Sequence, residues 1–170
     1  MSYEIADVIT PGHEQAFKVG SRTPATNLAS LAAVHLALLN DPITASVATV
    51  NADGIAQLTP NWLEHDGTHV FLNSVRGRLK DRNLRARPHV TIMLVNTKNP
   101  YHWITIYGEI THVVDEDHAT DGHLATESID RLSKKYLGTT PYPLRDPKGE
   151  IRVLYTVAIH RIVTFGPVGG

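Results

Sequence analysis

Between Arg76 and Arg87 the chain places six cations in twelve residues: Arg76, Arg78, Lys80, Arg82, Arg85 and Arg87. The protein as a whole carries a formal net charge of −1, so this concentration is local. Asn73 and Ser74 stand just ahead of it, and Gly77 allows a tight turn into it. Guanidinium and ammonium groups beside a helix start, where main-chain N–H groups are unpaired and the dipole end is positive, suit a phosphate or another polyanion. The competing reading is a solvated helix face that binds nothing. Arg78, Arg82 and Arg85 fall on one side by their spacing, and Asp81 is the lone acid within the run. Repulsion along that side tips the reading towards an anion site.

A second group of polar side chains precedes it. Strand alternation over Ile55 to Glu64 puts Gln57, Thr59, Asn61 and Leu63 on one face and Ala56, Leu58, Pro60 and Trp62 on the other. The amide and hydroxyl row predicts a polar wall turned to water or to a hydrogen-bonding ligand. Pro60 lacks an N–H for a ladder, which predicts an edge or a break in pairing.

Other chemistries lack their residues. Cysteine is absent, which removes disulfides, thiol nucleophiles and thiolate-bound metals. The ten histidines show no HExxH and no His-x-His spacing, so no metal site is expected. Neither a Gly-x-Ser-x-Gly elbow nor a glycine-rich dinucleotide fingerprint is present. The near-neutral charge balance argues against sequence-independent binding of long nucleic acid. No apolar run of about eighteen residues predicts a membrane span, and the opening Met1-Ser-Tyr-Glu does not resemble a signal peptide. The expected location is the cytoplasm.

These groups need elements to hold them. Residues 1–27 read as an N-terminal arm and residues 28–170 as one domain. Asn27 is placed to cap a helix from Leu28 to Leu39, ended by Asp41-Pro42. Strands follow at Ala45–Val50, Ile55–Glu64 after the Asn51-Ala-Asp-Gly54 turn, Thr68–Leu72, Val90–Val95 and Trp103–Val114, the last with Gly108 as a bulge. The basic segment is a short helix. Ala119 to Lys135 predicts another helix, and Ile151 to Phe165 a final strand with Val153, Tyr155, Val157, Ile159 and Arg161 on one face. Hairpins first and few helices predict a mainly β, α+β protein, a small antiparallel Greek-key barrel with flanking helices. Some six strands make a barrel filled by side chains. A ligand then lies outside it or between subunits.

Taken in order, Ala45–Val114 resembles a known family. A strand, an Asp-Gly turn, a strand with Gln57-Leu-Thr-Pro-Asn-Trp62, another strand and then Gly77-Arg-Leu-Lys-Asp-Arg-Asn-Leu-Arg85 are similar to the FMN-binding, pyridoxamine-phosphate-oxidase-like split β-barrel flavoproteins. The Arg-x-Lys-x-Arg-Asn-Leu-Arg run is most similar to actinobacterial flavin/deazaflavin oxidoreductases of the B type, which use coenzyme F420. The closing strand followed by Gly166-Pro167 matches that group as well. The likeness covers about two thirds of the chain. Its basic element is more specific for the superfamily than for which flavin is bound.

The resemblance implies a homodimer with cofactor at the interface, and hydride transfer between the deazaflavin and an electron-poor small-molecule substrate. An FMN-dependent oxidase or reductase, and a flavin or tetrapyrrole carrier without turnover, are the alternatives. By position, the implied cofactor-binding set is Gln57, Thr59, Pro60, Asn61, Asn73, Ser74, Arg76, Arg78, Lys80, Arg82 and Asn83. Arg78 and Lys80 hold the phosphate, while Gln57, Thr59, Pro60 and Asn61 line the rings. Trp62, Tyr101 and Trp103 are candidate aromatic walls for the acceptor, with core packing as their other use. Arg87 stands before Pro88 where the family often has Asp, a departure suited to a more acidic cofactor tail.

Overall fold

The structure, a computed structural model, describes residues 27–146 and 149–166. The expected arm at 1–27 therefore lies outside the described residues, Asn27 excepted. Asn27 Oδ1 accepts from Ala29 N at 2.8 Å, but it caps only a 3-10 turn, Leu28–Ser30. Ser30 Oγ donates to the Asn27 carbonyl at 2.6 Å, a local bond that competes with helical pairing. The backbone extends at Leu31 and Ala32 before α1, Ala33–Asn40, begins. The single helix expected over 28–39 is thus two pieces, and Ala32 is exposed. The break lets Leu28, Leu38 and Leu39 all reach the core.

The strands are β1 Ala45–Val50, β2 Ala56–Asn61, β3 Leu63–His65, β4 Val70–Val75, β5 His89–Asn96, β6 Asn99–Asp115 and β7 Arg152–Phe165; the further helices are α2 Leu79–Ala86 and α3 His123–Leu137. The strands make one antiparallel sheet in the order β2-β1-β5-β6-β7-β4-β3. This is the mainly β, split-barrel architecture expected, with seven strands because the run from Ile55 to Glu64 divides at Trp62. Its first part pairs with β1 and its second with β4. These are opposite edges of the sheet, so the chain crosses the seam of the curled sheet within one residue. Pro60 lies on the edge strand β2, where its missing N–H leaves no ladder bond unmade.

Alternation sets the two faces. Val47, Ile92, Leu94, Ile104, Ile106, Val157 and Ile162 point inward and are almost fully buried. On β2 the sense is the reverse of a polar strand turned to water. Gln57, Thr59 and Asn61 are half-buried on the inner side, whereas Leu58 is 67% exposed.

A register shift against β7 falls at Gly108, where a bulge was expected, but the extra residue is on β7 and not on β6: Tyr107 pairs with Arg161 and Gly108 with Ile159. A Cβ at Gly108 would come within 2.5 Å of Val157 Cγ1 and 2.6 Å of the Ala158 carbonyl. The skipped residue, His160, breaks the alternation of β7. Val153, Tyr155 and Val157 are fully buried and Ile159 half-buried, but Arg161 is exposed and Ile162 takes the inward position. Helix α3 starts later than residue 119, because turns from Asp115 to Gly122 come first, with His118 N on Asp115 O and Gly122 N on His118 O. It ends at Gly138, whose φ of 75° makes a left-handed cap.

Candidate functional site

Helix α2 follows β4 after a turn at Gly77, where φ is 81°. The basic run is far less self-repelling than its sequence implies, because carboxylates distant in the chain meet it. Arg76 pairs with Asp115 and Asp117, Arg78 with Glu150, and Arg85 with Asp81 and Asp115. Arg82 donates to the Gly77 carbonyl at 2.6 Å and Arg87 to the Val50 carbonyl at 2.7 Å. Asp81 closes the helix start from below. It accepts from Gly77 N at 2.7 Å, Tyr155 Oη at 2.6 Å and Arg85 Nε at 2.7 Å. Burial alone would raise its carboxyl, but these donors together hold it below the usual carboxylate range. Burial and the Asp81 carboxylate push the Tyr155 hydroxyl up.

Lys80 differs from every other cation in the cluster. It is 8% exposed, and among the described residues no carboxylate lies within ion-pair reach of it. Its Nζ donates to Asn61 Oδ1 at 2.6 Å. Burial, with the Arg78 charge adding to it, lowers the amine to about 8. A buried cation held by one neutral amide is costly unless an anion arrives.

Asn61 connects Lys80 to a cleft of about 260 Å³ where the sheet's two edges meet. Thr44, Pro60, Asn61 and Trp62 form one side, and Asn73, Arg78 and Arg152 the other; Ile129, Leu132 and Tyr142 complete it. Trp62 stacks on Tyr136 at 5.1 Å and meets Tyr142 edge-on at 5.9 Å. Trp62 and Tyr142, both lining the cleft, give it an aromatic wall, with Tyr136 stacked behind Trp62. Asn73 Oδ1 and Arg152 Nε, both buried, have no hydrogen-bond partner. Buried polar groups are nearly always paired, so an orphaned acceptor and an orphaned donor in one cleft suit a polar ligand with an anionic end. A phosphate-bearing cofactor fits that donor set.

Of the residues singled out in the sequence, Pro60, Asn61, Asn73 and Arg78 line this cleft and Lys80 touches it through Asn61. Ser74 is buried on β4 beside Asn73. Gln57 and Asn83 lie elsewhere. Asn83 Nδ2 is within 3.1 Å of Thr49 Oγ1, 2.8 Å of Asn51 Oδ1 and 3.3 Å of Gln57 Oε1, a network pinning α2 to the β1–β2 hairpin. Thr59 Oγ1 is buried without a partner. Arg76 and Arg82 turn to the surface, and Tyr101 is exposed at the far end of β6. Trp103 stacks on Phe165 at 5.7 Å on the outer face. Sequence reasoning missed Arg152, Thr44 and Tyr142. A lone arginine opening the apolar run Val153–Val157 was the available signal for the first; the other two carry none.

The profile of the pyridoxamine 5'-phosphate oxidase family matches residues 31–161. The chain belongs to that family. Among solved structures, this member of the pyridoxamine 5'-phosphate oxidase family is similar to an F420 reductase at 25% identity, covering 75% of this chain and 94% of that one, with a TM-score of 0.64. A conserved hypothetical protein from Mycobacterium tuberculosis is 19% identical over 99% of this chain and 98% of its own, with a TM-score of 0.58. HutZ, a haem storage protein from Vibrio cholerae, is 17% identical over 76% of this chain and 92% of its own, with a TM-score of 0.55. The last two share the fold alone. No curated protein matches the sequence. Among the described residues, no helix is long and apolar enough to cross a membrane.

Proposed function

We propose that the protein is a cytoplasmic F420-dependent oxidoreductase acting on an electron-poor small molecule, such as an activated C=C or a quinone-like system. The observation that carries this reading is Lys80, a buried cation beside the cleft with no carboxylate partner among the described residues. The F420 reductase similar to this chain over 94% of its own length supports the choice of cofactor.

Lys80 and Arg78 hold the cofactor phosphate, with Ser74 and Asn73 on β4 beneath them. Pro60 and Asn61 border the ring system together with Thr59. Gln57 and Asn83 act from behind by fixing the β1–β2 hairpin against α2, and Arg76 and Arg82 brace the turn before the helix. When bound, F420 supplies hydride chemistry at its C5. The chain's own part is to position the reacting carbons and exclude water, with Trp62 as the wall on the acceptor side.

A homodimer completes the site. The outer sheet face carries apolar and aromatic side chains, Leu58, Met93, Tyr107 and Val163, among polar ones. Register places Leu58, Ala48, Thr91, Tyr107 and Arg161 in one row across it, with Pro60, Ser46, Met93, Thr105 and Val163 in the next. The apolar members of these two rows suit contact with a second copy.

Titrating the purified protein with F420, FMN and haem in parallel tests the reading. F420 binding tighter than FMN, with oxidation of reduced F420 only when an acceptor is added, is expected. FMN binding tighter than F420 would replace the cofactor, and haem binding without turnover would make the protein a carrier.

A further inference from the structure

Arg152 opens β7 and is only 5% exposed. Its guanidinium lies 5.0 Å from the centre of the Tyr142 ring. Its Nε has no hydrogen-bond partner, and its Nη2 stands 3.7 Å from Glu150 Oε2, beyond hydrogen-bond reach. From the other side, Arg78 Nη2 donates to Glu150 Oε1 at 2.9 Å. Both arginines line the cleft. One carboxylate therefore sits between two guanidinium groups from different elements and satisfies one of them. Its own Oε2 is buried and makes no hydrogen bond.

A carboxylate offers two oxygens and one charge. A phosphate presents its free oxygens tetrahedrally, two in a diester and three with nearly two charges in a monoester, so they can reach both guanidinium forks at once. Glu150 is anchored through its main chain, whose N–H bonds to the Asp146 carbonyl at 2.9 Å. Its side chain can swing aside while the backbone stays. Asn73 Oδ1, also unpartnered in this cleft, can accept from a hydroxyl next to the phosphate.

We propose that Arg78 and Arg152 form a two-guanidinium seat for a phosphate group, and that Glu150 occupies this seat as a built-in competitor which the phosphate displaces. The inference rests on reading this cleft as the cofactor's phosphate end. It assigns Arg152 as a binding residue and makes Glu150 a brake on affinity rather than a ligand.

Inorganic phosphate, followed by phosphorus NMR titration against wild type, E150Q, R152Q and E150Q/R152Q, tests it, with acetate as the carboxylate control. E150Q is expected to bind phosphate about tenfold more tightly, equivalent to about 1.4 kcal/mol. R152Q is expected to abolish that gain in the double variant, and acetate to show no comparable gain. Unchanged or weaker phosphate binding in E150Q overturns the proposal, as does a gain that survives R152Q. If R152Q does not fold, R152K takes its place, since it keeps the charge but loses the planar fork. Titration of F420 and FMN separates the two readings. A phosphate gain in E150Q without binding of either cofactor leaves the seat standing and removes the cofactor. Cofactor binding indifferent to E150Q and R152Q does the reverse.

Discussion

Lys80 Nζ donates to Asn61 Oδ1 at 2.6 Å, tying the first turn of α2 to the last residue of β2. The bond joins the two groups of residues that stood out separately in the sequence, and it does so at the seam of the sheet. Asn61 is fixed in turn, since its Nδ2 donates to the Trp62 carbonyl at 2.6 Å. The amide thus cannot rotate to present a second acceptor, and Lys80 retains donors for an incoming anion.

Replacing Lys80 with Met is expected to weaken cofactor binding about ten- to a hundredfold, the range for losing one charge-assisted hydrogen bond. Arg85→Met is the control, because Arg85 is already committed to Asp81 and Asp115, and its loss should change affinity far less. Calorimetric titration of both variants with F420 checks the contrast. Equal losses at the two positions would leave the cluster as a general positive field.

Lys80 also sets a pH dependence. Its amine is lowered from 10.5 to about 8 in the folded chain, so between those values the unfolded chain binds the extra proton. Stability linked to this group therefore rises with pH across that window and is least below about 8. The stability deficit of wild type relative to K80M, measured by urea unfolding, is expected to shrink between about pH 7 and about pH 10. Cofactor affinity should move the other way and fall as the pH rises through about 8, since the neutral amine attracts phosphate weakly. A deficit that is constant with pH would mean that Lys80 stays charged.

Asn83→Ala removes the amide shared among Thr49, Asn51 and Gln57. Leaving buried Thr49 and half-buried Asn51 and Gln57 short of a donor is expected to cost about 1–3 kcal/mol of folding stability. Urea unfolding monitored by Trp fluorescence measures it. A loss under a few tenths of a kcal/mol would show that water replaces the amide.

Leu58→Glu puts a charge on the exposed outer side of the edge strand β2, beside Ala48 across the pair. Light scattering is expected to show a shift from a dimer to the 18.7 kDa chain, with the circular dichroism of the sheet retained. A dimer that persists through this change would have to use another surface.

Much of this was legible in the sequence. Alternation over Val90–Val95 and Trp103–Val114, the Asn51–Gly54 turn and the irregular pairing at Gly108 are local signals, and each led to the right element. Pro60 foretold the edge strand, because a missing N–H has the same meaning in any fold. What was not legible depended on groups far apart in the chain. Asp115, Asp117 and Glu150 pair with Arg76, Arg78 and Arg85, so much of the apparent self-repulsion is relieved in the folded chain, though Arg78 still acts on Lys80. The polar row of β2 turned inward because the sheet curls and sets α2 against it, which no pattern within ten residues reveals. Arg152 was hidden for the same reason: Asn73 and Arg78 reach it through the pairing of β4 with β7, some seventy-five residues apart, and Tyr142 from the segment before β7.

The position of β7 in the sheet has a consequence for how the protein is born. β4 pairs with β3 and β7 alone, and β7 is the bridge from β4 to β6. On the ribosome, the β3–β4 hairpin therefore waits through the synthesis of some seventy-five further residues before its second neighbour emerges. Pairing over such separations is slow, and the hairpin's unpaired edge is open to wrong partners meanwhile. Pro60 and Asn61 belong to one half of the cleft and Asn73 to the other, so the cleft closes only once the last strand has docked. Occupancy by a ligand would thus mark a chain that has finished folding, and an early ligand would act as a chaperone for the final step alone.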